Sequence, residues 1–397
     1  MVDRTTAESS VAAYMRSVQK CWSSEESEHA LELARSMPIP SRFEEDWRRT
    51  DPEEFPWNRL EEVDPQHTKL DVSLRASGAS STGLVPLEVD GCARCRALHL
   101  IAGDDYDAKF LYYHKALNRE PVCFRVMRDF RGDPVEIVQR ASGPGLAAFT
   151  TVLVVEPGAD VTLYDRWEIG DGPVAAIGRT EIMLLEGAKL TLLQEEQSWS
   201  VPFYRRARVQ LERNAQLNWY AATPGAPWHA ARMEIMMNGP GSEATYKGLF
   251  AGSGKARADH RTHQIHNTPN AKSSLMMKTL LAGQAHSVYQ GTITVPQQGQ
   301  KTDAYQQCRN LLLSPQAHAD AIPKLEIIAD DVRCSHGASM GPVNKDQLFY
   351  LRTRGLTRRQ ASVAIATGFA EEVIRNVPAE SAQERWREMV RATIGKD

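Results

Sequence analysis

One pattern recurs in EPGADVTLYDR (residues 156–166), EGAKLTLLQEE (186–196), ERNAQLNWYAA (212–222) and GPGSEATYKGLF (239–250). Each copy has a turn signal, then a small residue, then alternating apolar and polar positions. Measured between the small residues, the copies lie 29, 27 and 27 residues apart, and TPNAKSSLMMKTLL places another small residue 29 further along. These small residues are Ala159, Ala188, Ala215, Ser242 and Ala271.

A recurrence of about 28 residues built from strands and turns predicts stacked β coils, a β-solenoid. Ankyrin-like and tetratricopeptide arrays have similar periods but are helical, and alternation is typical of strands. A β-sandwich with evenly spaced hairpins remains the alternative. We predict a mainly β protein with a β-helix (β-solenoid) core over residues 136–343. An N-terminal helical region and connector (1–65), a small mixed region (66–135) and a C-terminal helical domain (344–397) flank it.

The flanking regions carry helix signals. Apolar residues at helical intervals predict a helix over residues 8–36, and the connector that follows is expected to dock through Trp47 and Trp57. After the last strand, Asn344 is a helix cap, and Thr357 with Gln360 forms a capping-box pattern. A last helix is predicted over residues 379–394.

Composition indicates an ordinary globular protein, with 42% hydrophobic and 24% charged residues. The net charge of −3 gives no reason to expect nucleic-acid or anionic-membrane binding. No apolar run is long enough for a transmembrane helix, and the N-terminus lacks the marks of a secretory signal or transit peptide. We therefore expect a cytoplasmic protein. Its six cysteines are too sparse for a disulfide framework.

Three motifs invite a functional interpretation that the sequence supports weakly. AGSGKARAD (251–259) contains Gly-Ser-Gly-Lys but lacks the other residues of a phosphate loop, so we interpret it as a turn. Cys92-Ala-Arg-Cys95 is half of a zinc or dithiol motif without a second half. In DHRTHQIHN, His260 and His266 would share one face of a strand and His263 the other, so the three cannot converge without a bend.

Cys334-Ser-His336 is the stronger candidate. On a strand, two residues that are two apart project to the same face. Thiolate and imidazole suit iron–sulfur clusters, zinc and copper, but two ligands make only half of a metal site. A buried structural thiol and a nucleophile–base pair remain alternatives, although an orienting group and an oxyanion pocket are not visible in the sequence.

The run from Thr302 to Leu356 closely resembles the scaffold proteins of the SUF iron–sulfur assembly system. The resemblance includes Ala-Asp-Asp-Val, Cys-Ser-His-Gly-Ala and Gln-Leu-Phe-Tyr-Leu-Arg between Asp330 and Arg352, and extends more weakly to residues 44–52. It favours the SufD branch, because the SufB branch would carry a Glu-His-Glu-like run and extra cysteines where this chain has Ser335-His336-Gly337.

The resemblance implies a β-helix core between helical ends and a role as a non-enzymatic assembly component. It implies pairing with a SufB-like paralogue through the β-helix core, and docking of a SufC-like ATPase on the C-terminal helices, about residues 344–377. It further implies that His336, with Cys334 of the same motif, contributes to a transient iron or iron–sulfur cluster site at the subunit interface. Whether a flavin binds the assembled complex is left open.

Three other functions are weighed against this one. The chain could be a SufB-like or homodimeric scaffold that holds the cluster itself. It could also be a purely structural homodimer whose exposed solenoid edge pairs with itself. A solenoid enzyme acting on polysaccharides needs paired carboxylates in a groove. Asp330-Asp331 is the conspicuous acidic pair, and neighbouring residues on a strand would point to opposite faces.

Overall fold

The computed structural model describes residues 24–45, 47–61, 68–76, 84–86, 107–117, 122–130, 134–197 and 200–394. The first part of the predicted N-terminal helix, residues 8–23, lies outside these ranges, as do Cys21, Cys92 and Cys95. None of the helices in the described ranges is long and apolar enough to cross a membrane.

Eighteen strands and six α-helices make up the described residues. The strands are β1 Lys69–Ala76, β2 Leu84–Pro86, β3 Val122–Val126, β4 Val135–Ser142, β5 Gly145–Val155, β6 Asp160–Ile169, β7 Pro173–Leu184, β8 Lys189–Gln197, β9 Phe203–Leu211, β10 Gln216–Pro224, β11 His229–Met237, β12 Glu243–Gly252, β13 Arg257–His266, β14 Lys272–Leu281, β15 His286–Val295, β16 Asp303–Leu312, β17 His318–Ile327 and β18 Arg333–Pro342. The helices are α1 Ser24–Ser36, α2 Trp57–Glu61, α3 Ala108–Leu117, α4 Lys345–Thr353, α5 Arg358–Ile374 and α6 Glu380–Ile394, with a 3-10 turn at Pro52–Glu54.

The strands form two nine-stranded sheets that face each other. Sheet A has the order β1-β4-β6-β8-β10-β12-β14-β16-β18, and sheet B has the order β17-β15-β13-β11-β9-β7-β5-β3-β2. From β4 onward, each coil of the chain adds one parallel strand to each sheet. The predicted β-helix is therefore confirmed, with about seven turns, and the β-sandwich alternative is wrong.

The repeated small residues lie at one corner of successive coils. All five are buried, and Thr302 continues the column after Ala271. The residue before each has a positive φ, which glycine adopts without steric cost and asparagine tolerates. These corner residues are Gly158, Gly187, Asn214, Gly241, Asn270 and Lys301. The sequence pattern therefore marks the position at which each coil turns and stacks.

Apolar side chains stack in columns inside the solenoid. Leu163, Leu192, Trp219 and Tyr246 are register partners on four successive strands, and all four are buried. Such burial stabilises the stack by about 25 cal/mol for each Å² of apolar surface removed from water.

The interior also holds a charged group. Arg205 Nη1 donates a hydrogen bond to Glu196 Oε1 at 2.8 Å, and His229 Nε2 lies 3.0 Å from Glu196 Oε2. Burial raises the pKa of Glu196, but the Arg205 charge and the contact with His229 outweigh it and lower this pKa to about 2. The carboxylate is therefore ionised inside the stack.

The N-terminal segment packs on the outer face of sheet B through aromatic rings. Trp47 and Trp57 are both buried, as predicted, and Trp57 Nε1 donates to the carbonyl of Pro52 at 2.8 Å. Phe110 of α3 stacks on Tyr204 of β9, with ring centroids 4.1 Å apart. The connector thus covers apolar surface of the solenoid.

The C-terminal helices pack on the outer face of sheet A. Buried residues of α5 and α6 form one apolar cluster with Leu193, Leu249 and Leu280 of the sheet. Trp386 Nε1 donates to Glu195 Oε1 at 2.7 Å. The predicted Asn344 cap and the Thr357–Gln360 capping box are both present, and the last helix lies where it was predicted.

Buried histidines should make the fold sensitive to acid. Burial is the main reason that the pKa of His260 is lowered to about 3, so this side chain is neutral in the folded state. In the unfolded chain the same side chain binds a proton once the pH falls below about 6.5. His260 should therefore lower the free energy of unfolding by about 1.4 kcal/mol per pH unit as pH falls from 6.5 toward 3.

His260→Phe keeps a ring at this position and should flatten the decline, measured by urea unfolding at pH 7, 6 and 5. His29→Phe, at an exposed position of α1, is the control. Equal slopes in both variants and the wild type would show that His260 is not buried as a neutral ring.

Candidate functional site

The last coil of the solenoid leaves two sheet edges uncovered by further strands. β18 ends sheet A and pairs on one side with β16, and β17 ends sheet B beside β15. Apolar side chains are exposed at this end: Ile328 is 65% exposed and Met340 52%. Within the described residues, this end therefore combines unpaired strand backbone with apolar surface.

Cys334 and His336 lie on the last strand of sheet A. Their register partners on β16 are Ala304 and Gln306, which are both buried and face the solenoid interior. Cys334 is half-buried against Ala304 and Ala329, and His336 is exposed. The two side chains follow the same alternation and lie on the interior side of the strand, at the open end of the stack.

The Cys334 thiol is not activated by its surroundings. Burial, above all, raises the pKa of Cys334, and the Asp303 carboxylate acts in the same direction. The thiol is therefore protonated at neutral pH, and a metal ion would have to displace the proton. This environment does not fit a cysteine nucleophile, whose pKa has to be lowered.

An apolar groove lies beside this end of the solenoid. It has a volume of about 600 Å³ and is bordered by the end of β16, by α4 and by α5, with Leu311, Leu351 and Phe369 among its lining residues. None of the α4 residues is fully buried, and Phe349 of this helix is 67% exposed. An aromatic-bearing helix next to an open apolar groove is typical of a protein-binding surface.

The family comparison agrees with this architecture. The family model described as "SUF system FeS cluster assembly, SufBD core domain" matches residues 138–369. The chain belongs to the SufBD family. The matched region contains Cys334, His336 and most of the helical segment that borders the groove.

Curated relatives of this SufBD protein come from several bacteria. An iron–sulfur cluster assembly SufBD family protein of Synechocystis is 28% identical over 212 residues, which cover 53% of this chain and 47% of the relative. The iron–sulfur cluster assembly protein SufD of Escherichia coli is 35% identical over 160 residues, 40% of this chain and 37% of the relative. A SufBD family protein of Mycobacterium tuberculosis is 27% identical over 264 residues, which cover 64% of this chain and 66% of the relative. The chain thus spans half or less of the first two relatives.

Cys308 of this SufBD protein is a core residue. It lies on β16, is buried, and receives a hydrogen bond from Asn310 Nδ2 at 3.4 Å. Burial raises the pKa of its thiol to about 12. Its position therefore explains Cys308 as a packed thiol that does not ionise.

The three histidines of β13 do not converge. His260 and His266 lie on the inner side of the strand, where His266 Nε2 is 2.9 Å from Ser273 Oγ and the His260 ring lies against His229. His263 lies on the outer side, 2.8 Å from Thr294 Oγ1. The prediction that they occupy opposite faces is confirmed.

Two loop motifs resolve as turns. The segment after β12 turns at Ser253–Ala256, with a positive φ at Gly254, as predicted for AGSGKARAD. Asp330 and Asp331 lie in the turn before β18 and are exposed, so the expectation that they lie on a strand is wrong. Lys301 N–H donates to the carbonyl of Asp331 at 2.6 Å, which joins this turn to the corner of the preceding coil.

Sequence reasoning missed a cluster on the outer face of sheet B, formed by His286, His318 and Asp320. A signal was available: His286 and His318 are 32 residues apart, close to the length of one coil, so stacking brings them side by side. The apolar groove was also missed, because it depends on how α4 and α5 pack together.

The different burial of the cysteines gives a labelling test. Under native conditions, iodoacetamide should modify Cys334 at a rate that rises with pH, because only the thiolate reacts. Cys308 and Cys123 are buried and should react only after unfolding. Peptide mapping by mass spectrometry reads each site separately, and Cys334→Ser is the control. Native labelling of Cys308 as fast as Cys334 would contradict the described packing.

Proposed function

We propose that this chain is a SufD-like subunit of the SUF scaffold complex for iron–sulfur cluster assembly. The observation that carries the proposal is the placement of Cys334 and His336 on the uncovered last strand of the solenoid, next to an apolar groove. The SufD identity is supported by 35% identity to the Escherichia coli protein. The resemblance of the Cys-Ser-His-Gly motif to the SufD branch also supports this proposal.

The uncovered end suits pairing with another solenoid. Exposed sheet edges bind a further strand through backbone hydrogen bonds. The edges of β17 and β18 present such groups, and Ile327, Ile328 and Met340 add apolar surface. We assign this end to a SufB-like partner. The same edge could pair with a second copy when the chain is isolated, so a homodimer of the purified protein is compatible with the proposal.

Cys334 and His336 then supply half of a site for a nascent cluster. An exposed imidazole is free to bind iron, and a half-buried thiol can do so after losing its proton. The partner's ligands would complete the site at the interface. The cluster is cargo here, and His336 is the first ligand that we assign, because its side chain is the more accessible of the two.

The groove suits an ATPase partner. α5 is held on sheet A by Lys278, whose Nζ donates to the carbonyl of Phe369 at 2.7 Å and pairs with Glu372 at 2.5 Å. α4 lacks such anchors among the described contacts and displays Phe349 and Tyr350 to solvent. We assign α4, α5 and the groove to a SufC-like ATPase. In this proposal the chain itself is not an enzyme, and ATP hydrolysis belongs to that partner.

The proposal is tested by co-expressing the full chain with SufB-like and SufC-like proteins. A complex of all three on size-exclusion chromatography is expected, and persistent separation of this chain from both partners would overturn the proposal. Phe349→Asp should weaken SufC-like binding at least about tenfold, as expected for an aromatic residue central to an interface.

SufB-like binding should survive Phe349→Asp, because its surface lies on the strand edges. Phe43→Asp is the matched control, since Phe43 is 85% exposed and lies on the N-terminal segment. If both aspartate variants keep the ATPase equally well, the exposed face of α4 that carries Phe349 is not part of its docking surface.

A further inference from the structure

Three side chains that bind metals converge on the outer face of sheet B. His286 on β15 and His318 on β17 are register partners on adjacent parallel strands, and Asp320 lies two residues after His318 on the same face. We propose that His286, His318 and Asp320 form a binding site for a divalent transition-metal ion. This site lies outside the proposed cluster half-site and does not rest on the proposed function.

The donor atoms lie at the separations that a metal requires. His286 Nε2 is 3.0 Å from Asp320 Oδ2, and His318 Nε2 is 3.6 Å from Asp320 Oδ1. All three ligand atoms lie within 4.8 Å of one another. Two donors on a tetrahedral zinc ion, each about 2.1 Å from it, are separated by roughly 3.4 Å. Small side-chain rotations would therefore bring all three donors onto one ion.

The orientation of His318 is the informative detail. A hydrogen bond between His286 and Asp320 would satisfy this carboxylate without a second imidazole. His318 has a side chain that is 66% exposed, so packing does not force its direction. Its Nε2 nevertheless faces the other oxygen of Asp320, and the two rings lie with centroids 4.9 Å apart. Both imidazoles thus direct their Nε2 atoms toward the Asp320 carboxylate.

The ligand set indicates the class of ion. Two imidazoles and one carboxylate suit zinc and divalent iron, cobalt, nickel or copper, whereas calcium and magnesium prefer oxygen ligands alone. Three protein ligands leave coordination positions open, as in sites that bind an exchangeable molecule. The geometry therefore fits an open transition-metal site better than a closed structural one.

One side of the site adjoins a cavity of about 180 Å³ between sheet B and the N-terminal segment. His286 and Val288 line this cavity together with Asp51 and Glu54. Its wall also holds four arginines, Arg42, Arg48, Arg49 and Arg257. The excess of positive charge opposes a bare cation but favours an anionic molecule at an open position of the bound metal. Inorganic phosphate should therefore strengthen metal binding.

The proposal is tested by titrating the full-length, metal-stripped protein with Co²⁺ in a His336→Ala background, which removes the histidine of the cluster half-site. One saturable Co²⁺ per chain is expected, with visible absorption typical of nitrogen and oxygen ligands. Intense near-ultraviolet sulfur-to-metal absorption at that first equivalent would instead assign the ion to cysteines and overturn the proposal. Zn²⁺ should displace the bound Co²⁺.

Two variants identify the ligands. His318→Ala and Asp320→Asn should each weaken Co²⁺ binding at least about tenfold, because even residues that only support metal ligands cost ten- to a hundredfold when removed. Circular dichroism should be unchanged, since His318 is largely exposed and Asn has the shape of Asp. His29→Ala is the matched control, an exposed histidine 3.9 Å from Glu32.

Absence of saturable Co²⁺ binding, or equal Co²⁺ affinity in the two variants and the control, would show that His286, His318 and Asp320 form only a hydrogen-bonded surface group. A second titration in phosphate buffer tests the arginine-lined wall. A gain in affinity that Arg257→Ala removes supports a role for the cavity, and no gain contradicts that part of the proposal.

Discussion

The structure depends on the in-register parallel stacking of its coils. Each coil can stack directly on the previous one only if the chain turns sharply at the corner and the side chain buried at that corner is small. A residue with positive φ makes the turn, and a small buried residue follows it, from Gly158-Ala159 to Asn270-Ala271. In the last such corner, before β16, Lys301 adopts the positive-φ conformation that residues other than Gly and Asn rarely take. The columns of interior side chains and the flat outer faces follow from this register.

Stacking also explains where the proposed cluster half-site lies. Inside the stack each strand has two neighbours, so its backbone groups are paired and its side chains are covered. At the last coil both conditions end, and Cys334 and His336 lie there on an uncovered strand. The C-terminal helices begin immediately after that strand, which brings the apolar groove next to the same end. A partner on the strand edges and a partner in the groove would therefore be neighbours, and movement of one could reach the other through β18 and α4.

The sequence predicted the solenoid because alternation and spacing are local signals. It predicted the small-residue column, the helix caps, the docking of Trp47 and Trp57, and the shared face of Cys334 and His336. The first three described strands, β1 to β3, were not predicted as parts of the sheets. β5 does not alternate, because it is buried at every position, so the pattern that marks the repeated coils is absent from it. The cluster of His286, His318 and Asp320 was missed for another reason: its members lie on different coils, and the spacing of His286 and His318 by about one coil length was not used to pair them.

We propose that His336 supplies a ligand to a cluster formed at the interface with a partner. The most direct measurement is the content of iron and acid-labile sulfide in the complex, co-purified anaerobically with its SufB-like and SufC-like partners. We predict that His336→Ala assembles normally but retains far less iron and sulfide than the wild type, whereas Ser335→Ala, on the opposite face of the same strand, retains both. Equal iron and sulfide in the His336→Ala and wild-type complexes would contradict the account.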